Sequence, residues 1–290
     1  MSWLLLDAGN SALKWALVPA LLAQWPDDST ADADANAPIY RGSIAIDDAD
    51  LGGELARACS LSATTGSRDA PAAVFGCAVT TPARIAALES ALAAAGAGKA
   101  QWLLATSDFA HDQIRVHNAY REPASLGADR WHALIGARAR FPHRALLVVS
   151  AGTATTADAI LPDGTFCGGV IAPGIELMRA GLARGTARLP LASGAYARHP
   201  DHTDDAIRTG ILDAQLGLID RRMRRVRETA GVQPLLVLSG GHGPALASQL
   251  LAQHGDGAVA LAPDLVLRGL WHHARAITAD GLARLPARNP

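Results

Sequence analysis

Several short stretches of this chain combine residue types suited to phosphate chemistry. Asp7-Ala8-Gly9-Asn10-Ser11 closes one apolar run and opens another. A turn that tight presents successive backbone N–H groups, and its glycine lets the chain approach a phosphate with no Cβ in the way. Asp7 can hold Mg²⁺ directly or through water, while Asn10 and Ser11 can donate to phosphate oxygens. The same residues also read as a capped hairpin with a solvated Asp. Lys14 weighs against that plainer reading: of 26 cationic residues only Lys14 and Lys99 are lysine. A compact point charge three residues beyond Ser11 suits a phosphate.

A second turn, Ser150-Ala151-Gly152-Thr153-Ala154-Thr155-Thr156, supplies hydroxyl and backbone donors but no charge. Ser239-Gly240-Gly241-His242-Gly243 follows an apolar strand and precedes a helix. Its glycines would let a flat adenine or ribose lie against bare backbone, although a strand-to-helix turn uses glycine for ordinary reasons too. Gly127-Ala128-Asp129-Arg130 stands where a loop enters a helix. The field at a helix N-terminus favours an ionised Asp129, which can accept or orient a hydroxyl proton during phosphoryl transfer, and Arg130 can clamp a carboxylate. The alternative is Asp129 as a helix cap and Arg130 in a surface ion pair.

The elements that must position these residues repeat. Trp3–Leu6, Leu13–Val18 and Ile39–Ile46 read as three strands. Helix Leu51–Leu61, strand Ala72–Val79, helix Pro82–Ala95, strand Trp102–Ala105 and helix Asp129–Arg140 follow, with proline opening the second helix. The second half restarts with strands Ala145–Val149, Thr155–Ile160 and Thr165–Ile171. Helices within Ile175–Leu182 and Asp204–Thr229, strand Leu235–Leu238, helix Pro244–Gln253, strand Ala258–Leu261 and helix Asp264–Arg275 complete it. LLLDAGNSALKWALV from Leu4 matches LVVSAGTATTADAIL from Leu147 in strand, turn and strand, aligning Asp7 with Ser150 and Gly9 with Gly152. A duplicated α/β chain of two βββαβαβα-type lobes is expected, residues 1–125 carrying the first hairpin and 126–290 the second hairpin and the adenine-side glycine loop. Two such hairpins across a cleft would hold a polyphosphate from both sides.

Composition narrows the function classes. With 290 residues, 49% hydrophobic, and 26 cations against 27 anions, neither a disordered tail, a fibre nor a strongly basic nucleic-acid binder fits. Cys59, Cys77 and Cys167 form no C-x-x-C pair, which disfavours a disulfide framework or structural zinc and suits a reducing cytoplasm. Met1–Leu6 lacks a basic region and Asp7 interrupts its apolar run, so neither a signal peptide nor a membrane span is expected. Asp27–Ala37 reads as an acidic surface loop. Neither G-x-x-x-x-G-K-[ST], G-x-G-x-x-G after a strand, nor a G-x-S-x-G elbow is present.

D-x-G-N-[ST]-x-x-K at Asp7–Lys14, Tyr120 before Glu122-Pro123, GADR at Gly127 and GTATT at Gly152 resemble the type III pantothenate kinases. GGVIAPGIELM at Gly168–Met178 and HTDDAIRTGI at His202–Ile211 are similar to that family as well. The resemblance implies the duplicated actin-like, sugar-kinase-like (ASKHA) fold. It also implies phosphorylation of the pantothenate hydroxyl by ATP with Mg²⁺, the first step toward coenzyme A. By matching position, Asp7, Ala8, Gly9, Asn10, Ser11, Ala12, Leu13, Lys14 and Thr153 would contact ATP. Tyr120, Gly127, Ala128, Asp129, Arg130 and Thr203 would contact pantothenate, and Asp129 would be the proton acceptor. The family acts as a dimer with its acceptor site near the subunit interface. Ser150 stands where many members carry an Asp that binds the activating K⁺ or NH₄⁺, so a weaker, displaced or absent cation site is expected.

Other readings stay open. Members of the family have been called accessory factors for transcription, and a kinase of this fold for a sugar or another short acid, or a nucleotide-gated binding module, fits the same motifs. Arg221, Arg222, Arg224, Arg225 and Arg227 point nearly all round a helix axis, which favours a solvated or interface helix over a nucleic-acid stripe. His199, His202, His272 and His273 read as surface or cap residues rather than metal ligands. Thr203 also reads as the N-cap of a helix starting at Asp204.

Overall fold

A computed structural model of the chain describes residues 1–26, 39–64, 70–255 and 257–283. The acidic loop expected at Asp27–Ala37 lies outside the described residues. In chain order the elements are β1 (Ser2–Ala8), β2 (Ala12–Pro19), β3 (Tyr40–Ala45), α1 (Leu51–Thr64), β4 (Ala73–Ala78), α2 (Pro82–Ala94) and β5 (Ala100–Trp102). There follow β6 (Asp108–His111), β7 (Ile114–Asn118), α3 (Ala128–Arg140), β8 (Leu146–Ala151), β9 (Ala154–Ile160) and β10 (Thr165–Pro173). The chain closes with α4 (Ile175–Gly185), α5 (Thr203–Ala230), β11 (Leu235–Ser239), α6 (Gly243–His254), β12 (Val259–Leu261) and α7 (Leu265–Ala283).

Contacts group the chain into two compact units. The first draws on Met1–Asp112, Glu122–Gly136 and the C-terminal segment from Val266; the second on Gln113–Arg121 and Ala137–Leu265. The division therefore does not fall once, after residue 125. Helix α7 clusters with the N-terminal strands because its apolar face, Leu267, Leu270, Trp271 and Ala274, packs in one core with Trp3, Leu5, Phe75 and Ala128.

Each unit repeats one strand order. In the first it is β3-β2-β1-β4-β5, and in the second β10-β9-β8-β11-β12, with β7 beside β10. Strands 1 and 2 of each repeat are antiparallel, and 1 and 4 are parallel. The duplicated pattern of the sequence is thus a duplicated topology. The expected strand Trp102–Ala105 is instead the shorter β5, and β6 and β7 were not anticipated. The second of these, IRVHN, buries only alternate residues, and such short polar alternation leaves a weak signal.

Side-chain alternation, period 2 along a strand, sets what each face of the first sheet carries. Leu4, Leu6 and Ala8, with Leu13, Trp15 and Leu17, face the core built by Leu55 of α1 and by Leu88 and Leu92 of α2. Trp3, Leu5, Ala16, Val18 and Cys77 face α7 and the start of α3. Parity puts Asp7 and Lys14 on this second face. Burying each large side chain contributes about 1.5–3 kcal/mol, and a one-residue slip would exchange the faces, so the register is firmly specified. In the second unit Leu147, Val149, Leu236 and Leu238 face α5 and α6 through Ile211, Leu216, Leu246 and Leu250. Ser150, Thr156 and Ser239 accordingly face the other way.

Helix α7 meets α3 backbone to backbone. A Cβ built on Gly269 would lie 1.8 Å from the His132 carbonyl oxygen, so any larger residue must drive the two helices apart. Gly269→Ala should lower the free energy of chemical denaturation by about 1–3 kcal/mol, the usual range for overpacking. An unchanged denaturation midpoint would show that α7 shifts without cost.

Candidate functional site

Three adjacent strands of the first unit bring three of the chemically interesting side chains into one row. Asp7 on β1 is the register partner of Lys14 on β2 and of Cys77 on β4. All three lie on the sheet face that Ala128 covers at the start of α3. Asp7 is 8% exposed. The Cys77 thiol donates weakly to its Oδ1 at 3.9 Å. Burial raises the Asp7 carboxyl to about 6 against an ordinary value of 3.8; Lys14 pulls it down and the negative charge of Asp129 pushes it up. Burial, together with Asp7 and Asp129, pushes the Cys77 thiol well up, so it is a protonated donor and an inert thiol.

Asp129 lies in the first turn of α3, after the cap position rather than at it, which corrects the helix-cap reading. The cap residue is Gly127, whose carbonyl accepts the Trp131 N–H at 3.0 Å. Asp129 Oδ1 accepts the Arg130 backbone N–H at 2.8 Å. Burial raises its carboxyl, and that hydrogen bond, Arg130 and Lys14 partly offset the rise. A Cβ on Gly127 would come within 2.7 Å of this oxygen, which explains the glycine of GADR: it leaves room for the carboxylate. Arg130 is itself buried, 7% exposed, so it is not the surface residue of the alternative reading.

The turn between β1 and β2 is braced from outside. The Gly9 N–H donates to the Ala12 carbonyl at 3.0 Å, committing that donor to the turn. The Ile46 N–H donates to the Ser11 carbonyl at 3.1 Å, and the Arg84 guanidinium to the Asn10 carbonyl at 3.0 Å. Arg84 also pairs with Asp47. Asn10 and Ser11 remain exposed, with Lys14 half-buried behind them. Sequence reasoning passed over Arg84, since an arginine in the first turn of a helix reads as an ordinary surface charge.

In the second unit three glycine segments meet at the end of β8. The Gly152 N–H donates to the Ala154 carbonyl at 3.1 Å, and the Gly174 N–H to the Thr153 carbonyl at 3.0 Å. A Cβ on Gly174 would lie 2.2 Å from the Gly152 carbonyl oxygen. Gly240 has φ +84°, and a Cβ there would lie 2.5 Å from the Ala151 carbonyl oxygen, which also accepts the His242 N–H at 3.0 Å. Gly241 has open space around its Cα, as a flat ligand against bare backbone would need. Gly174 was missed as a site residue, although Pro173-Gly174 before a helix is a visible turn signal. Thr153 is exposed. Ser150 is the register partner of Thr156 and Ser239, so the row that is Lys-Asp-Cys in the first unit is Thr-Ser-Ser here.

The remaining expected site residues also belong to the second unit. The Tyr120 ring packs against Phe166 with centroids 5.1 Å apart, and its N–H donates to Asn118 Oδ1 at 3.2 Å. Thr203 is the first residue of α5; His202 is the cap, its Nδ1 accepting the Asp204 N–H at 3.3 Å. Thr203 lines an apolar groove of about 730 Å³ between α4 and α5, with Leu177, Met178, Leu182, Ile207 and Ile211. Further along α5, Met223 and Val226 fill the buried stripe, and Arg225 pairs with Glu228. His199 is exposed as expected, but His272 and His273 are half-buried, and His273 Nδ1 lies 2.9 Å from Nε2 of the buried His132.

The first-unit row suits Mg²⁺. Two carboxyls influence one another, Lys14 offsets both in part and Arg130 offsets Asp129, and the buried Asp7 accepts a weak hydrogen bond from the Cys77 thiol. Among the described residues no group of three His, Cys, Asp or Glu could hold a metal alone. Mg²⁺ itself binds through one or two carboxylates and keeps water and phosphate oxygens as its other ligands.

Comparison with known proteins agrees with the motifs. A family model described as type III pantothenate kinase matches residues 3–225. A type III pantothenate kinase of Laribacter hongkongensis is 39% identical over 272 residues, 94% of this chain and 98% of the relative. One of Bordetella pertussis is 40% identical over 258 residues, 87% and 88% of the two chains. Among solved structures, a conserved putative Baf family transcriptional activator from Campylobacter jejuni has a TM-score of 0.53 at 19% identity, covering 96% of this chain and 99% of that one. An activator of a 2-hydroxyisocaproyl-CoA dehydratase from Clostridium difficile, with bound ADPNP, has a TM-score of 0.51 at 10% identity over 100% of both chains. What these structures share with the chain is its fold, in which one α/β strand order occurs twice.

A carboxyl raised on folding stabilises the protein fully below its unfolded value near 3.8, and that contribution is lost as pH rises through about 6. Asp7→Asn has no such loss. In ligand-free protein its stability relative to the parent should therefore climb between pH 4 and pH 7, by roughly 2–3 kcal/mol. Denaturant melts across that range check this, and a pH-independent difference would contradict the burial of a titrating carboxyl at residue 7.

Proposed function

Because the chain belongs to the type III pantothenate kinase family, and is an ATP-dependent pantothenate kinase of coenzyme A biosynthesis, we propose the following roles for its residues. Asp7 holds the Mg²⁺ of the nucleotide, directly or through water, and Lys14 faces the phosphates. The turn from Ala8 to Leu13 lies along the same phosphates, and Thr153 contacts ATP from the second hairpin. Asp129 accepts the proton of the pantothenate hydroxyl, and Arg130 clamps its carboxylate. Tyr120, Gly127, Ala128 and Thr203 complete the acceptor site.

The observation that carries this reading is the row Lys14–Asp7–Cys77, with the Asp129 carboxyl close enough to raise Asp7. Mg²⁺ with ATP, when bound, supplies the transferable γ-phosphoryl group and neutralises part of its charge. The chain's own residues do the rest. A carboxyl held above its ordinary range by burial is a stronger base than a solvated aspartate, which suits Asp129 to taking a hydroxyl proton as the oxygen attacks. The buried Arg130, one residue on, offers a fixed guanidinium to an acidic acceptor.

The apolar groove between α4 and α5, with Leu177 and Leu191 exposed nearby, supports assembly as a homodimer through this face. Free buried Cys59 and Cys77 support a reducing, cytoplasmic setting. Among the described residues no helix is long and apolar enough to cross a membrane.

ATP consumption should require pantothenate and should not be supported by sugars, and Asp129→Asn should cut kcat by about 10² or more, the usual share of base catalysis. Turnover with a sugar alone would overturn the acceptor assignment, and unchanged turnover in Asp129→Asn would remove that residue from the chemistry. The Thr156–Ser150–Ser239 row supplies hydroxyls and no carboxylate to a monovalent cation. Activation by K⁺ or NH₄⁺ should accordingly be weaker than in Asp-bearing relatives, and should steepen in Ser150→Asp; equally steep activation in the parent would contradict this.

A further inference from the structure

Behind Asp129, on the side away from the row of Asp7, stands a pair of histidines that the reaction as described does not use. His132, one turn along α3, is fully buried. Its Nδ1 lies 2.7 Å from the Ala128 carbonyl oxygen, and its Nε2 lies 2.9 Å from His273 Nδ1 on α7. A carbonyl only accepts, so Nδ1 of His132 carries the proton and donates it. Burial lowers His132 to about 3 and His273 to about 4, so both rings are neutral at physiological pH. The neutral His132 then has a lone pair at Nε2, and His273 Nδ1–H must be the donor to it. The chain of donors runs one way, from His273 through His132 to the Ala128 carbonyl.

That carbonyl and the Asp129 N–H belong to one planar peptide unit, so what fixes the first fixes the direction in which Asp129 leaves the backbone. Phe109 seats the His273 ring edge-on, centroids 5.5 Å apart. The close approach of Gly269 to the His132 carbonyl holds α7 at the distance the imidazole bond needs.

We propose that His273 and His132 are positioning residues for phosphoryl transfer: their fixed tautomers lock the Ala128–Asp129 peptide and thereby aim the Asp129 carboxylate at the acceptor hydroxyl. The proposal rests on the assignment of Asp129 as the base. Replacing His273 by Leu removes the donor to His132 Nε2 and frees His132 to take the other tautomer, whose Nδ1 lone pair repels the Ala128 oxygen. Because small misplacements of a catalytic group are costly, kcat should fall about 10-fold. The KM for ATP should hold. His273→Asn, which keeps a donor near the Nδ1 position, should recover most of the loss.

The deciding measurement is a double-mutant cycle. His273→Leu should cost nothing further in the Asp129→Asn background, because there is no longer a base to aim. The same fold-loss in both backgrounds, or no loss in either, would overturn the proposal while leaving Asp129 as the base. Full turnover by Asp129→Asn alone would overturn both. Nitrogen-15 spectra of the imidazoles in the unaltered protein test the tautomer without relying on any variant's folding. His132 should be protonated at Nδ1 and stay neutral down to pH 5, and an Nε2–H form would sink the proposal.

Discussion

A carboxylate held out of water on the face of a β-sheet is the constraint to which the first unit answers. Asp7 alternates with leucines and a tryptophan along β1, so its position is set by the hydrophobic pattern that defines the strand. The cost of keeping its charge is reduced by Lys14, one strand away, and increased by Asp129. Burial and a second carboxyl oppose its ionisation, and Lys14 with the Cys77 thiol favours it, an imbalance of the kind a divalent cation relieves. The fold supplies electrostatic demand at this point, as the proposed nucleotide–metal site requires.

The duplication shows what the two copies have done with one scaffold. The same strand order and register place Lys, Asp and Cys at corresponding points in one unit and Thr, Ser and Ser in the other. The row that carries charge in the first repeat carries hydroxyls in the second. The second repeat uses the space differently, bringing Gly174 and Gly240 so close to the Gly152 and Ala151 carbonyls that no Cβ fits. One repeat thus carries an ionic row, and the other a hydroxyl row beside closely packed backbone.

Much of this was legible in the sequence because it is local. The strand–turn–strand openings, the three-strand start of each half and the helix after GADR follow from apolar period and glycine placement. What remained hidden depends on partners distant in sequence. Arg84 bracing Asn10 and His273 bonding His132 have no local pattern, and the half-buried His272 and His273 of α7 read as surface or cap residues because a histidine carries no burial signal of its own. Asp129 was recognised as a helix-start carboxylate, but its place after the cap was settled by the room Gly127 leaves, a matter of tenths of an ångström. The division of the units was hidden for the same reason, since it is α7 that closes the N-terminal core.

That closure has a bearing on biosynthesis. A ribosome delivers Trp3, Leu5 and Phe75 early, while Leu267, Leu270 and Trp271, which cover them, emerge almost last. For most of translation one side of the first sheet has no cover, whereas the whole second unit, ending at Leu265, is already available to fold. The earliest strands therefore keep one apolar face open until α7 arrives, the condition under which partly folded chains are prone to aggregate.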